Sequence, residues 1–72
     1  MATISNRVRA LRQEYALSSQ ECARLLKLHP STLEALERGS YLPSLELSLR
    51  LSTIFALPVE DIFSFTSDEH FA

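Results

Sequence analysis

The chain has 72 residues, a length that gives a single small domain whose core is marginal on its own. Hydrophobic residues make up 46% and charged residues 22%, which excludes a disordered chain. One cysteine excludes an internal disulfide framework and a cysteine-based zinc site, and no apolar run approaches the ~18 residues of a membrane span.

Ile4, Val8, Leu11 and Tyr15 fall at i, i+4, i+7 and i+11, so the spacing predicts a helix over 4–15, with Thr3 or Ser5 as its cap. Ser18 followed by Glu21 is a capping-box pattern and opens a short second helix carrying Cys22, Leu25 and Leu26. It ends near Lys27. Only Lys27, Leu28 and His29 separate it from Pro30, which suits the first turn of a third helix running to Arg38. Gly39 stands where a left-handed C-terminal cap belongs.

A loop follows, and Ser44 caps the next element. Leu45-Glu46-Leu47-Ser48-Leu49-Arg50-Leu51-Ser52 alternates strictly and reads as a strand. No other segment alternates, so that strand lacks a partner. At about 100° per residue the same stretch is a helix through residue 56, with Glu46, Arg50 and Thr53 as a polar stripe. A last helix opens at Pro58, with Glu60 and Asp61 in its first turn, and buries Val59, Ile62 and Phe63. Residues 1–65 thus form the domain, and residues 66–72 form a short polar tail expected to fray.

Net charge is −2 but unevenly spread. Residues 1–38 set Arg7, Arg9, Arg12, Arg24, Lys27 and Arg38 against Glu14, Glu21, Glu34 and Glu37, a balance of +2. Residues 39–72 set Arg50 against Glu46, Glu60, Asp61, Asp68 and Glu69, a balance of −4. One basic face on the first half is compatible with nucleic acid; the whole-chain balance argues against nonspecific binding.

Two short helices joined by a three-residue turn have the geometry of a helix-turn-helix. Ala23 is the small residue at the expected crossing, and Cys22, Leu26, Leu28, Leu33 and Leu36 supply the contacts that fix the angle. With these residues, and with Ser5 to Arg12, Leu17-Ser18, Ser31-Thr32-Leu33, Leu36-Glu37-Arg38-Gly39, Pro43 to Glu46 and Val59 to Phe63, the chain resembles the Cro/C1-type (xenobiotic-response-element, XRE) helix-turn-helix regulators of bacteria and phages. The resemblance implies an all-α, five-helix, lambda-repressor-like fold in the cytoplasm. It also implies a homodimeric transcriptional regulator whose third helix enters the major groove of a palindromic operator on double-stranded DNA. Phosphate contacts then fall to Ser19, Gln20, Arg38, Ser40, Tyr41 and Ser44, and base-facing positions to Pro30, Ser31, Thr32, Glu34 and Ala35. Arg12 and Glu37 match an ion pair beneath that face.

The chain departs from the family pattern at Ser19, Lys27, His29, Pro30 and Ser40, each departure removing a cap or a DNA contact. A protein-interaction module with a weakened DNA face, such as an antitoxin or the partner of another regulator, is therefore the alternative.

The fourth helix carries more apolar surface than one small core covers. Leu47, Leu49, Leu51 and Ile54, with Phe63 and Phe65 at the end of the fifth helix, are the expected faces of a two-fold dimer. No strand-to-helix nucleophile elbow, phosphate-cradling loop or metal spacing is present, since His29 and His70 lie far apart. No enzyme activity, cofactor, metal, small-molecule ligand or membrane is expected.

Overall fold

The periodicity from Ile4 predicts one helix, but the N-terminal segment divides in two. In the computed structural model, which describes residues 4–65, Ile4–Asn6 is a strand, β1. It pairs antiparallel with Phe63–Phe65, β2, in the register Ile4 to Phe65, Ser5 to Ser64 and Asn6 to Phe63. Ser5 does not cap a helix; its hydroxyl meets Ser64 Oγ at 3.2 Å. Thr3 and the tail 66–72 lie outside the described residues.

Helix α1, Val8–Glu14, begins where Asn6 Oδ1 accepts the Val8 N–H at 3.0 Å. Val8 and Leu11 face the core, at 0% and 3% exposure. Tyr15 ends the helix; its hydroxyl donates to Phe55 O at 2.9 Å, and its ring meets Phe55 edge-on at 5.2 Å.

Helix α2, Ser19–Leu26, carries the capping box in full. Ser18 Oγ accepts the Glu21 N–H at 3.0 Å, and Glu21 Oε1 accepts the Ser18 N–H at 2.9 Å. The bond from the Ser18 backbone holds the Glu21 carboxyl below its ordinary range. The helix stops at Lys27, which is left-handed at φ 58°. Helix α3, Pro30–Arg38, follows at once, with proline at its first position. His29 caps it weakly, Nδ1 accepting the Ser31 N–H at 3.4 Å. At the far end Gly39, at φ 86°, lets its N–H reach Leu36 O while the Ser40 N–H reaches Ala35 O, both at 3.0 Å.

Helix α4, Leu45–Phe55, replaces the apparent strand. Ser44 Oγ accepts the Leu47 N–H at 3.1 Å. Burial recurs at Leu47, Ser48, Leu51 and Phe55, a helical period, so alternate leucines go to different faces. Leu47 and Leu51, expected on a dimer face, are core residues of the single chain at 5% and 0% exposure. Leu45 and Leu49 point outward at 75% and 53%. Helix α5, Val59–Ile62, is one turn, and Pro58 is its N-cap. Phe63 and Phe65 are strand residues and do not belong to a helix end, because the chain runs from α5 directly into β2.

The described residues thus form a mostly helical domain of five helices with a minor two-stranded sheet. Val8, Leu11, Cys22, Ala23, Leu26, Leu33, Leu36, Leu47, Leu51, Phe55 and Ile62 form one core. Each large member contributes ~1.5–3 kcal/mol by burial. No helix among the described residues is long and apolar enough to cross a membrane.

Among the described residues three that are not glycine, Ala16, Lys27 and Ala56, are left-handed. Ala56, the exposed C-cap of α4 at φ 54°, gives the cleanest test. Ala56→Gly should raise the urea-unfolding free energy by about 0.5–1 kcal/mol, the relief of a Cβ clash less the extra freedom of the unfolded chain. A lower stability would contradict the strain at this cap.

Candidate nucleic-acid interface

The candidate surface is built on α3 and what holds it from behind. Leu33 and Leu36, at 1% and 0% exposure, seat the helix on the core. The same helical period leaves Pro30, Ser31, Glu34 and Arg38 exposed, with Thr32 and Ala35 half-buried beside them. Ala23, at 1% exposure, lets the two helices of the motif approach closely.

Arg12 and Glu37 form the expected pair. Arg12 Nε donates to Glu37 Oε2 at 2.7 Å, Nη2 to Oε1 at 3.4 Å, and Nη1 to Leu17 O at 3.2 Å. The side chains are only 12% and 11% exposed. The hydrogen bond to Glu37 holds the Arg12 guanidinium above even its ordinary, fully protonated range. This forked bond joins α1 to the last turn of α3. The nearby Cys22 thiol is buried and its pKa is pushed up by that burial, as suits a core filler rather than a nucleophile.

A shallow depression runs between α1, the start of α2 and α3. Ser19, Pro30, Ser31, Glu34 and Arg38 line it together, and Arg9, Arg12, His29 and Glu37 complete it. Arg9, counted in the sequence only toward the basic balance of the first half, and His29, expected only as a cap, join the site here. Arg9 stands three residues before Arg12, a spacing that puts both on one side of a helix and would have marked it. Arg38 Nη1 lies 3.5 Å from Glu34 Oε1, an exposed pair one turn apart that contributes little to stability.

The remaining candidates lie apart from this depression. Ser40 and Tyr41 line a second hollow with Ile4, Asn6, Gly39, Leu42, Pro43 and Phe63, and Ser40 Oγ donates to Ala35 O at 3.3 Å. Ser44 is exposed, but its hydroxyl already caps α4. Gln20 is exposed at the start of α2. The surface therefore offers the hydroxyls of Ser31 and Thr32, the Glu34 carboxylate, the exposed Arg9 and Arg38, and the N-terminal ends of α2 and α3, a set suited to phosphate and base edges.

These features define a helix-turn-helix domain, and comparison with known proteins agrees. Residues 4–62 match the family model for a helix-turn-helix domain. An uncharacterized HTH-type transcriptional regulator of Archaeoglobus fulgidus is 33% identical over 63 residues, covering 88% of this chain and 90% of that one. A second, of Methanocaldococcus jannaschii, is 32% identical over 66 residues, covering 92% and 100%. The Bacillus subtilis regulator YgzD, also named as uncharacterized, is 32% identical over 60 residues, covering 83% and 91%. The chain belongs to the XRE-type helix-turn-helix family of DNA-binding transcriptional regulators.

Proposed function

We propose that this chain is a sequence-specific repressor that binds double-stranded DNA as a homodimer and reads the major groove with α3. The observation that carries this reading is the exposed strip Pro30, Ser31, Glu34 and Arg38 on a helix clamped from behind by the Arg12–Glu37 fork. Ser31 and Thr32 offer hydroxyls to base edges, and the Thr32 methyl suits thymine. Arg9, Arg38, Ser19, Gln20, Ser40 and Tyr41 are the proposed phosphate contacts, with Ser44 at the start of α4. Repression needs no more than occupancy of a promoter by such a domain. Selection from a pool of random duplexes tests the reading: enrichment of a two-fold symmetric site is expected, and no enriched sequence would reject it.

The proposed dimer uses what the core leaves outside. Leu49 is 53% exposed and Ile54 half-buried on α4, and Leu25 and Leu45 join them around one apolar depression. Phe63 and Phe65 on β2 are the other candidates, half-buried and exposed respectively. Two copies joined on a two-fold axis would set two α3 helices about 34 Å apart, one turn of DNA. Sedimentation equilibrium at micromolar concentration should give twice the chain mass, and Leu49→Glu should shift the equilibrium toward single chains. A wild-type protein of single-chain mass would reject the dimer.

The same apolar depression favours a second reading, an interaction module whose partner is another protein. The front of α3 carries no arginine or glutamine for bidentate base contact, and Pro30 offers no donor there. Failure of the duplex selection would leave this reading standing.

A further inference from the structure

One side chain joins the terminal sheet to the proposed reading helix. Asn6 Nδ2 donates to Leu36 O, in the last turn of α3, at 2.8 Å. Asn6 Oδ1 accepts the Val8 N–H, at the start of α1, at 3.0 Å. Its backbone sits opposite Phe63 in the sheet, and the Arg7 N–H donates to Ile62 O at 2.9 Å. The amide therefore touches β1, α1 and α3 at once, using both of its ends.

The bond to Leu36 is not required to satisfy the helix end. Leu36 O already accepts the Gly39 N–H, and the Ser40 N–H goes to Ala35 O. What the amide adds is orientation. The next residue, Glu37, takes the Arg12 fork. Successive residues of α3 are thus held by two side chains, one from β1 and one from α1. A single tie leaves a helix free to pivot about it; two ties at neighbouring residues resist both roll and tilt.

We propose that Asn6 is a positioning residue for DNA reading: its bond to Leu36 O, together with the Arg12–Glu37 fork, sets the angle at which Ser31, Glu34 and Arg38 meet the groove. This inference rests on the reading of α3 as the DNA-reading helix. A helix mis-set by a fraction of a turn keeps its charge near the phosphates but loses the alignment that base contacts need. The effect of losing Asn6 is therefore on discrimination more than on overall attraction.

The substitution that isolates the tie is Asn6→Asp. An aspartate keeps an acceptor for the Val8 N–H, favoured near the start of α1. It has no donor for Leu36 O and sets two acceptors against each other. Asn6→Ser is the second variant, since its hydroxyl can cap α1 but is too short to span to α3. Both are made in the Ala56→Gly background to offset lost stability and are measured well below their melting transitions. The readout is the ratio of affinities for the best selected duplex and for an unselected one. That ratio should fall about tenfold or more, the size of one misread base pair, with unselected binding unchanged. A purely structural role would lower the melting temperature and leave the ratio of the folded protein intact. A wild-type ratio in the folded variants overturns the proposal for Asn6 alone. A wild-type protein that shows no discrimination overturns the reading of α3, and this inference with it.

Discussion

Glu37→Ala should lower the unfolding free energy by about 3–5 kcal/mol in urea. The reason lies in the geometry of the pair. Glu37 accepts two bonds from Arg12, and both side chains are nearly out of water at 11% and 12% exposure. Removing the carboxylate leaves the guanidinium desolvated, with Leu17 O as its remaining hydrogen-bond partner among the described residues. A domain of this length has a total stability of roughly 4–11 kcal/mol, so the loss should take from about a quarter to all of it. The double variant Arg12→Met/Glu37→Leu removes both charges and keeps apolar volume. It should recover most of the loss, because a buried pair replaced as a unit is close to neutral. A loss below ~1 kcal/mol for Glu37→Ala would show that the pair behaves as an exposed one.

Leu36→Ala should cost about 2–5 kcal/mol, by lost transfer energy plus the cavity left behind. Leu36 is fully buried beneath α3, and both Asn6 and Gly39 bond to its carbonyl. The backbone there is tied at two points, so the helix has little freedom to settle into the space. The upper part of the range is therefore expected. The same truncation at Leu49, 53% exposed on α4, should change monomer stability by under ~1 kcal/mol. Similar losses at both positions in thermal or urea unfolding would contradict the assigned core.

Much of this was legible from local chemistry. Ser18 and Glu21 announce α2, Pro30 and Gly39 bracket α3, and the helical wheel correctly turns the alternating leucines of α4 away from a strand. Those signals lie within a few residues of what they specify. The sheet was not legible, because its three-residue strands come from opposite ends of the chain and depend on pairing across 59 positions at Ser5 and Ser64. Ile4 also falls in helical register with Val8, so periodicity extended α1 too far. The inward turn of Leu47 and Leu51, against the dimer face expected for them, has a related reason. Composition showed that α4 is apolar over a wide arc, but only the packing shows that Leu47 and Leu51 face inward and Leu45 and Leu49 outward.

The site was legible unevenly. The Arg12–Glu37 fork follows from the family pattern, and the structure forms it. Arg9 reaches the depression through the docking of α1 against the motif, and His29 stands at its edge as the cap of α3. Asn6 carries no sequence signal beyond being a polar residue before a helix, and its role needs Leu36 to be brought beside it.

DNA reading by α3 is tested by titrating two variants against the best selected duplex and its single-base-pair derivatives. With few phosphates neutralised per subunit, the slope of log affinity against log salt should be shallow for a dimer, nearer about −4 than −10. Arg38→Ala should weaken all duplexes alike and make that slope shallower still. Thr32→Ala should change the preference at one base pair in each half-site, by about 1–3 kcal/mol, and leave the slope unchanged. If both variants bind every duplex as the wild type does, α3 is not the reading element, and the interaction module becomes the function of this fold.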